Sequence, residues 1–356
     1  MKKLLSLQLI FLLTATLLIG CGKTSDDESK TDSASTPSTE TTVSTENIAA
    51  EDENNTEAST STDPISITAL KGPTAMGMVK LMTDTESASA PDYTFNIAAS
   101  VDEVTPAVVQ GSTDIAAVPA NLASVLYNKT NGDMQVLAIN TLGVLYIVEN
   151  GDSIHSVTDL KGKTIYASGK GATPEYALNY ILSSNGINPQ TDVTIEWKSE
   201  HTECLAALTS TENGIALLPQ PFVTVAQAKV PNLKVALDLT EEWNKLNSDS
   251  ALLTGVIIAK KSFVESHTDA VNEFLAQYKA SVSYVNENVD DAAALVGKYG
   301  IVEEAVAKNA IPACNITYID GNDMKQKLSG YLNTLFEQNP AAVGGTLPAD
   351  DFYYQP

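Results

Sequence analysis

The sequence predicts an α/β protein of two lobes joined by two chain crossings. Three observations lead there. From residue 65 onward, short β-rich runs alternate with amphipathic helices, the pattern of a layered α/β architecture. That rhythm runs once over 65–142 and restarts over 160–240. Two further β runs, 143–149 and 253–259, bracket the second copy, and long helices close the chain.

In the first copy, strands are expected over 65–70, 93–100, 114–119 and 134–139. The turn Lys71-Gly72-Pro73-Thr74 opens a helix in which Ala75, Met78, Val79 and Met82 follow i, i+3, i+4, i+7 spacing. Shorter helices are expected over 104–110, ended by Gly111, and over 121–127. In the second copy, 156–160 is a short turn or helix, and strands are expected over 163–167, 193–197, 214–218 and 233–237. Helices are expected over 174–185, 202–209 and 222–229, the first with Thr173 as N-cap and Pro174 at N1. The final helices, 269–286, 290–299, 303–310 and 322–339, are expected to return to the first lobe. This reading assigns 65–150 plus 252–356 to lobe 1 and 151–251 to lobe 2. Hinge bending is expected near Glu149-Asn150-Gly151 and near 250–254.

The N-terminus indicates the compartment. Lys2 and Lys3 precede an apolar run over 4–19, broken only by Ser6, Gln8, Thr14 and Thr16. The run is shorter than the roughly 20 residues that span a bilayer, so 1–20 reads as a signal peptide. It ends in Leu18-Ile19-Gly20-Cys21, the lipobox pattern, which makes Cys21 the expected lipidation site. Two acyl anchors suffice for stable membrane attachment. Residues 21–64 are rich in Ser, Thr, Asp, Glu and Asn, with Lys23 and Lys30 as the only cations. Such a segment buries too little apolar surface to offset its ordering entropy, so a disordered, self-repelling tether is expected. Its length suits a cell wall to be crossed and points to a Gram-positive source.

A net charge of -23 argues against nucleic acid as partner. With Cys21 used for lipid, Cys204 and Cys314 could form at most one disulfide; buried free thiols are the expectation. Catalysis has little material. The sequence contains no G-x-S-x-G, H-E-x-x-H or C-x-x-C motif, and three histidines in all.

Several segments resemble one family. Asp159-Leu160-Lys161-Gly162-Lys163-Thr164-Ile165 resembles the segment that opens the second lobe of type 2 periplasmic binding proteins. Gly111-Ser112-Thr113-Asp114-Ile115-Ala116 resembles a strand entry of the same group, and Thr254-Gly255-Val256-Ile257-Ile258-Ala259 its returning crossover strand. Order and spacing resemble the branch that binds sulfonates, nitrate, taurine and thiamine-pyrimidine precursors. The resemblance covers about 65–340 and implies the type 2 periplasmic-binding-protein fold, two Rossmann-like lobes joined by two crossover segments. It also implies a monomeric lipoprotein on the outer face of the cell membrane that captures a small solute for an ABC permease and its ATPase, with no cofactor. A surface interaction protein, such as an adhesin or a sensory receptor, is the alternative on the same fold. An enzyme of the thiamine-pyrimidine type is a further one, but its clustered cysteines are missing here.

In such a layout a ligand sits between the lobes at the carboxyl ends of the strands. Four junctions converge there. Thr74, Ala75 and Met76 open a helix whose N-terminus suits an anion or a carbonyl, or form a plain cap. Asn121 could cap its own helix or present an amide. Ser168, Gly169, Lys170, Gly171 and Thr173 form a glycine-rich loop without nucleotide-loop spacing, in which the backbone could approach a ligand and Lys170 could equally face solvent. Gln220 stands between two prolines after a strand. His201 beside Glu200 reads as a surface helix start, and His155 and His267 show no metal-ligand spacing to it. Tyr146, Tyr176, Trp197 and Trp243 read mostly as core. The sequence contains no arginine. Anion binding would therefore rest on backbone amides, hydroxyls and Lys170, which keeps a neutral or zwitterionic ligand in play.

Overall fold

The computed structural model describes residues 63–246 and 250–356. The expected signal peptide, Cys21 and almost all of the expected tether lie outside these residues. The strands are β1 Ile65–Leu70, β2 Tyr93–Ala98, β3 Ile115–Pro119, β4 Gln135–Leu142, β5 Leu145–Glu149, β6 Thr164–Ser168, β7 Thr194–Lys198, β8 Ile215–Pro219, β9 Lys234–Asp238, β10 Leu253–Ala259 and β11 Ile316–Ile319. The helices are α1 Pro73–Met76, α2 Val79–Ser87, α3 Val101–Gln110, α4 Ala120–Lys129, α5 Thr173–Ser184, α6 His201–Ser210, α7 Phe222–Lys229, α8 Leu239–Leu246, α9 Lys261–Ser266, α10 Thr268–Glu287, α11 Val289–Lys298, α12 Glu304–Ala310 and α13 Gly321–Gln338.

Two sheets form, in the orders β11-β4-β10-β3-β1-β2 and β7-β6-β8-β5-β9. The second repeats the logic of the first. β1 lies parallel between β2 and β3, and β6 lies parallel between β7 and β8. In each sheet a strand from a chain crossing enters antiparallel: β10 against β3 and β4, β5 against β8 and β9. The two-lobed α/β architecture expected from the repeated β-α rhythm is present.

The crossing itself differs from expectation. All five residues of β5 are buried, and the strand sits in the second sheet. The first crossing is therefore Gly143-Val144 rather than 149–151, and 145–150 belongs with lobe 2. A strand buried on both faces is continuously apolar and carries no mark of its sheet. At its far end, buried Glu149 accepts hydrogen bonds from Ser153 N, Ser153 Oγ and Ile154 N, at 2.5 to 3.0 Å, and so closes the next turn.

Three further differences concern helices. The helix expected from Ala75 to Met82 is broken at Gly77, whose added Cβ would lie 2.8 Å from Tyr278 Oη. In α5 the N-cap is Ala172, so Thr173 is the first helical residue and Pro174 the second. The last helix, α13, does not belong to lobe 1 alone. Tyr331 Oη meets Thr173 Oγ1 at 2.9 Å, and Gln338 Nε2 donates to Tyr176 O at 3.1 Å. Leu328, Tyr331, Leu332 and Leu335 join one apolar cluster with Ile139 of β4 and Ile165 of β6. β11, α8 and α9 are elements the sequence pattern did not announce.

Candidate functional site

The crossings fix which ends of the sheets face each other. Leu145, just past the first crossing, pairs with Pro219 at the end of β8. Gly255, near the start of β10, pairs with Pro119 at the end of β3. The carboxyl ends of the parallel strands in both sheets therefore point toward the crossings, and the strand-to-helix junctions gather there.

In the first sheet, Gly72 has φ 124°, a conformation that favours glycine, and α1 follows it. Ala75 and Met76 are fully buried in the apolar cluster under the sheet, and their N–H groups bond to Gly72 O. Their side chains serve packing. Thr74 differs. Its carbonyl accepts from Asn140 Nδ2 at 2.9 Å, while its hydroxyl, in a residue 5% exposed, has no protein partner among the described residues. Gly255 lets β10 pass beneath, since a Cβ there would overlap Asn140 Oδ1 and lie 3.1 Å from Thr74 Cγ2. Asn121 neither caps its helix nor stays free: α4 has no side-chain cap, and Asn121 Nδ2 donates to Ala342 O at 3.3 Å.

In the second sheet, Ser168 ends β6 and is buried. Its Oγ lies 2.5 Å from His201 Nδ1. His201 is the first residue of α6, half-buried, with its ring 4.7 Å from that of Phe222. Burial holds its pKa below the ordinary 6.5, against the opposite pull of Glu200. The expected surface helix start is thus a partly buried member of the junction. The contact was not visible in the chain because it depends on β6 and β7 lying parallel, with Ser168 opposite Lys198. Gly169 and Gly171 have φ of 84° and 78°, and Lys170 is exposed. Gly171 N donates to Glu175 Oε2 at 2.6 Å, and Thr173 is engaged by Tyr331.

Gln220 follows β8, is 6% exposed and precedes a cis peptide bond to Pro221. Its Oε1 accepts from Thr224 Oγ1 at 3.0 Å and its backbone N donates to Val144 O in the crossing. Its amide Nε2 has no protein partner among the described residues. Thr240, just after β9, was not singled out from the sequence; its buried hydroxyl also has no partner. Tyr146, Tyr176 and Trp243 are buried and Trp197 half-buried. Cys204 and Cys314 are free and buried, and burial raises both thiol pKa values, that of Cys314 to about 12. No group of metal-ligating side chains occurs among the described residues.

A cavity of about 430 Å³ lies elsewhere, between α2 and α10, lined in part by Lys80, Asp84, Tyr93 and Tyr284. It includes none of the junction residues, and its Lys80 is already paired with Asp84. The strand-end junctions are the better candidate site, because polar side chains from both sheets gather there and the buried Thr240 hydroxyl stands without a partner, which is costly unless something satisfies it.

Two sheets, each entered by an antiparallel crossing strand, give the periplasmic-binding-protein fold. The model of the family described as ABC transporter, phosphonate, periplasmic substrate-binding protein matches residues 74–306. The chain belongs to this family, and it is a substrate-binding protein of ABC import. An ABC transporter protein of Parabacteroides distasonis is similar in structure, with TM-score 0.70 and 21% identity over 82% of this chain and 99% of that one. The periplasmic aliphatic sulphonate-binding protein SsuA of Escherichia coli gives TM-score 0.67 at 17% identity, over 82% and 92%. The ligand-binding component of an ABC-type import system of Staphylococcus aureus, with zinc bound, gives TM-score 0.60 at 16% identity, over 82% and 96%. No curated protein matches the chain. No helix among the described residues is long and apolar enough to cross a membrane.

Proposed function

We propose that this chain captures one small solute between its two sheets, at the junctions that carry Thr74, Ser168, His201, Gln220 and Thr240, and delivers it to a permease and its ATPase. The observation that carries the reading is the set of polar groups gathered at the strand ends on both sides of the crossings: the buried Thr240 hydroxyl, which has no partner, with Thr74 from the first sheet and Gln220 from the second, both in nearly buried residues. A solute that touches both sheets stabilises the closed arrangement by its differential affinity for it. The glycine-rich loop of Gly169, Lys170 and Gly171 borders the site, with Thr173 holding it to α13. Lipid on Cys21 would keep the receptor at the outer face of the membrane, with the acidic segment before residue 65 as tether.

Ser168 and His201 form a hydroxyl–imidazole pair, which also suits a nucleophile and base. No carboxylate bonds His201 among the described residues, and Ser168 is nearly inaccessible at 3% exposure. We read the pair as fixing the shape of the junction, with His201 the member that a solute can reach, rather than as attacking one. A thermal-shift screen of the purified protein against small polar solutes tests the proposal. A rise in melting temperature that grows with the logarithm of solute concentration is expected, by about 2.7 kcal/mol of stability at a hundredfold excess over the dissociation constant. Gln220→Ala and Thr74→Val should each weaken that hit about tenfold, the loss of one hydrogen bond in a dry site. A hit that both variants bind unchanged would remove the junctions from consideration.

A further inference from the structure

We infer that Tyr176 is a positioning residue for the solute site: its hydroxyl fixes the glycine-rich loop and ties that loop to the other lobe. The inference rests on the receptor reading above and names a residue that acts on the site through its neighbours. Gly169 and Gly171 have φ of 84° and 78°, and glycine gives up more conformational freedom on ordering than any other residue. Side-chain packing cannot hold Gly171, since nothing lies within 4 Å of where a Cβ would stand. Its backbone is held by hydrogen bonds instead. Gly171 N donates to Glu175 Oε2 at 2.6 Å, and Gly171 O accepts from Tyr176 Oη at 3.2 Å.

A phenol can donate in one direction and accept from another. Tyr176 does both, because Asn339 Nδ2 donates to the same Oη at 3.0 Å. Asn339 follows α13 and caps the short 3-10 turn Pro340–Val343, its Oδ1 accepting from Ala341 N at 3.1 Å. Carbonyls of that turn are taken by α4 of the first lobe. Asn121 Nδ2 donates to Ala342 O, and Ser124 Oγ donates to Val343 O at 2.7 Å. A hydrogen-bonded route thus runs from the β3–α4 junction of the first sheet to the glycine-rich loop of the second, apart from both crossings. The docking of α5 on α13 does not depend on the Tyr176 hydroxyl. Gln338 Nε2 donates to the Tyr176 carbonyl, and Tyr331 meets Thr173. The Tyr176 ring is buried in the same apolar cluster as Tyr331. Removing the hydroxyl alone therefore keeps the packing and releases the loop.

The test compares the full chain with Tyr176→Phe and Asn339→Ala by two readouts. One is hydrogen–deuterium exchange of the solute-free protein over residues 169–173, with β8 as the reference segment. The other is calorimetric titration with methylphosphonate, inorganic phosphate and ethanesulfonate. Tyr176→Phe should speed exchange in the loop about tenfold, leave β8 unchanged and weaken the best of these probes about tenfold, the loss of one hydrogen bond that orders the site. Asn339→Ala keeps the bond to Gly171 and cuts the tie to the first lobe, so it should weaken the same probe about threefold. The melting temperature of Tyr176→Phe should fall by no more than about 3 °C. A tyrosine that only packs would leave probe affinity in the folded protein unchanged, and that result overturns the positioning role while the receptor reading stands. Weaker binding without faster exchange also overturns it, since the hydroxyl would then act on the solute itself. If the parent binds none of the probes, the receptor reading falls and this inference with it.

Discussion

Replacing Gly143 by alanine probes the first crossing directly. An added Cβ would overlap Thr240 Oγ1 and lie 2.8 and 2.9 Å from Leu252 Cδ2 and Cγ. Thr240 is 8% exposed and Leu252 fully buried, so neither side chain has solvent to retreat into. Thr240 is also β-branched and stiff at χ1. Gly143 is held on its other side, since its carbonyl accepts from Asn315 Nδ2 at 2.6 Å. Its backbone is not in the left-handed region, so alanine costs nothing in conformation, and the whole effect is overpacking. That costs about 2 kcal/mol. For a folded part of about 290 residues it lowers the melting temperature by about 3 °C. Calorimetry of Gly143→Ala, Thr240→Ala and the double variant is the assay. Thr240→Ala removes the overlapping atom, so the double variant should recover at least about 0.5 kcal/mol relative to the sum of the singles. A melting temperature for Gly143→Ala within 1 °C or so of the parent would refute the packing argument, because the crossing would then yield at no cost. Strict additivity would refute the assignment of Thr240 as the obstacle.

Three further outcomes follow from single contacts. Glu149→Ala strips the acceptor from three donors in the buried turn after β5 and leaves its N–H groups unpaired; it should cost about 2–4 kcal/mol in urea denaturation, with Glu149→Gln costing clearly less. Tyr331→Phe removes the hydroxyl tie between α13 and Thr173 and should cost about 1 kcal/mol, read as a lower urea midpoint with an unchanged slope. His201 has a folded pKa below its ordinary 6.5, so the unfolded chain binds more protons in that window and stability falls as pH drops from 6.5 through the folded value. The parent should therefore lose more stability than His201→Gln between neutral pH and pH 5 or so, and parallel curves for the two proteins would show that burial does not depress this imidazole.

Much of the fold was legible because it is local. Pro73 after Gly72, Gly111 after a helical run and Pro174 near a helix start all mark boundaries by their own backbone chemistry, and each marks one here. What was not legible depends on which strands lie side by side. β5 is buried on both faces in whichever sheet it enters, so Leu145-Tyr146-Ile147-Val148 could not reveal that the chain had already crossed. β11 is four residues long, too short for a periodic signal. α8 has a strong apolar stripe, Leu239 and Trp243, but only two turns to display it.

The same division explains the site. Several junction residues could be found, because strand ends followed by glycine or proline announce themselves; Thr240 and His201 carry no such mark. Which of them remained free could not. Asn121 and Thr173 looked as available as Gln220, yet Ala342 and Tyr331, more than 150 residues away in sequence, engage the first two. Ser168 was singled out for its hydroxyl, but its partner His201 sits 33 residues on, after an intervening helix and strand. A ligand site is defined by the polar groups that tertiary structure leaves over. Those left over here are hydroxyls and an amide, with carboxylates already at the helix ends. Under the proposed reading, that unmet hydrogen-bonding capacity, together with the glycine-rich loop that borders it, is what a solute would match.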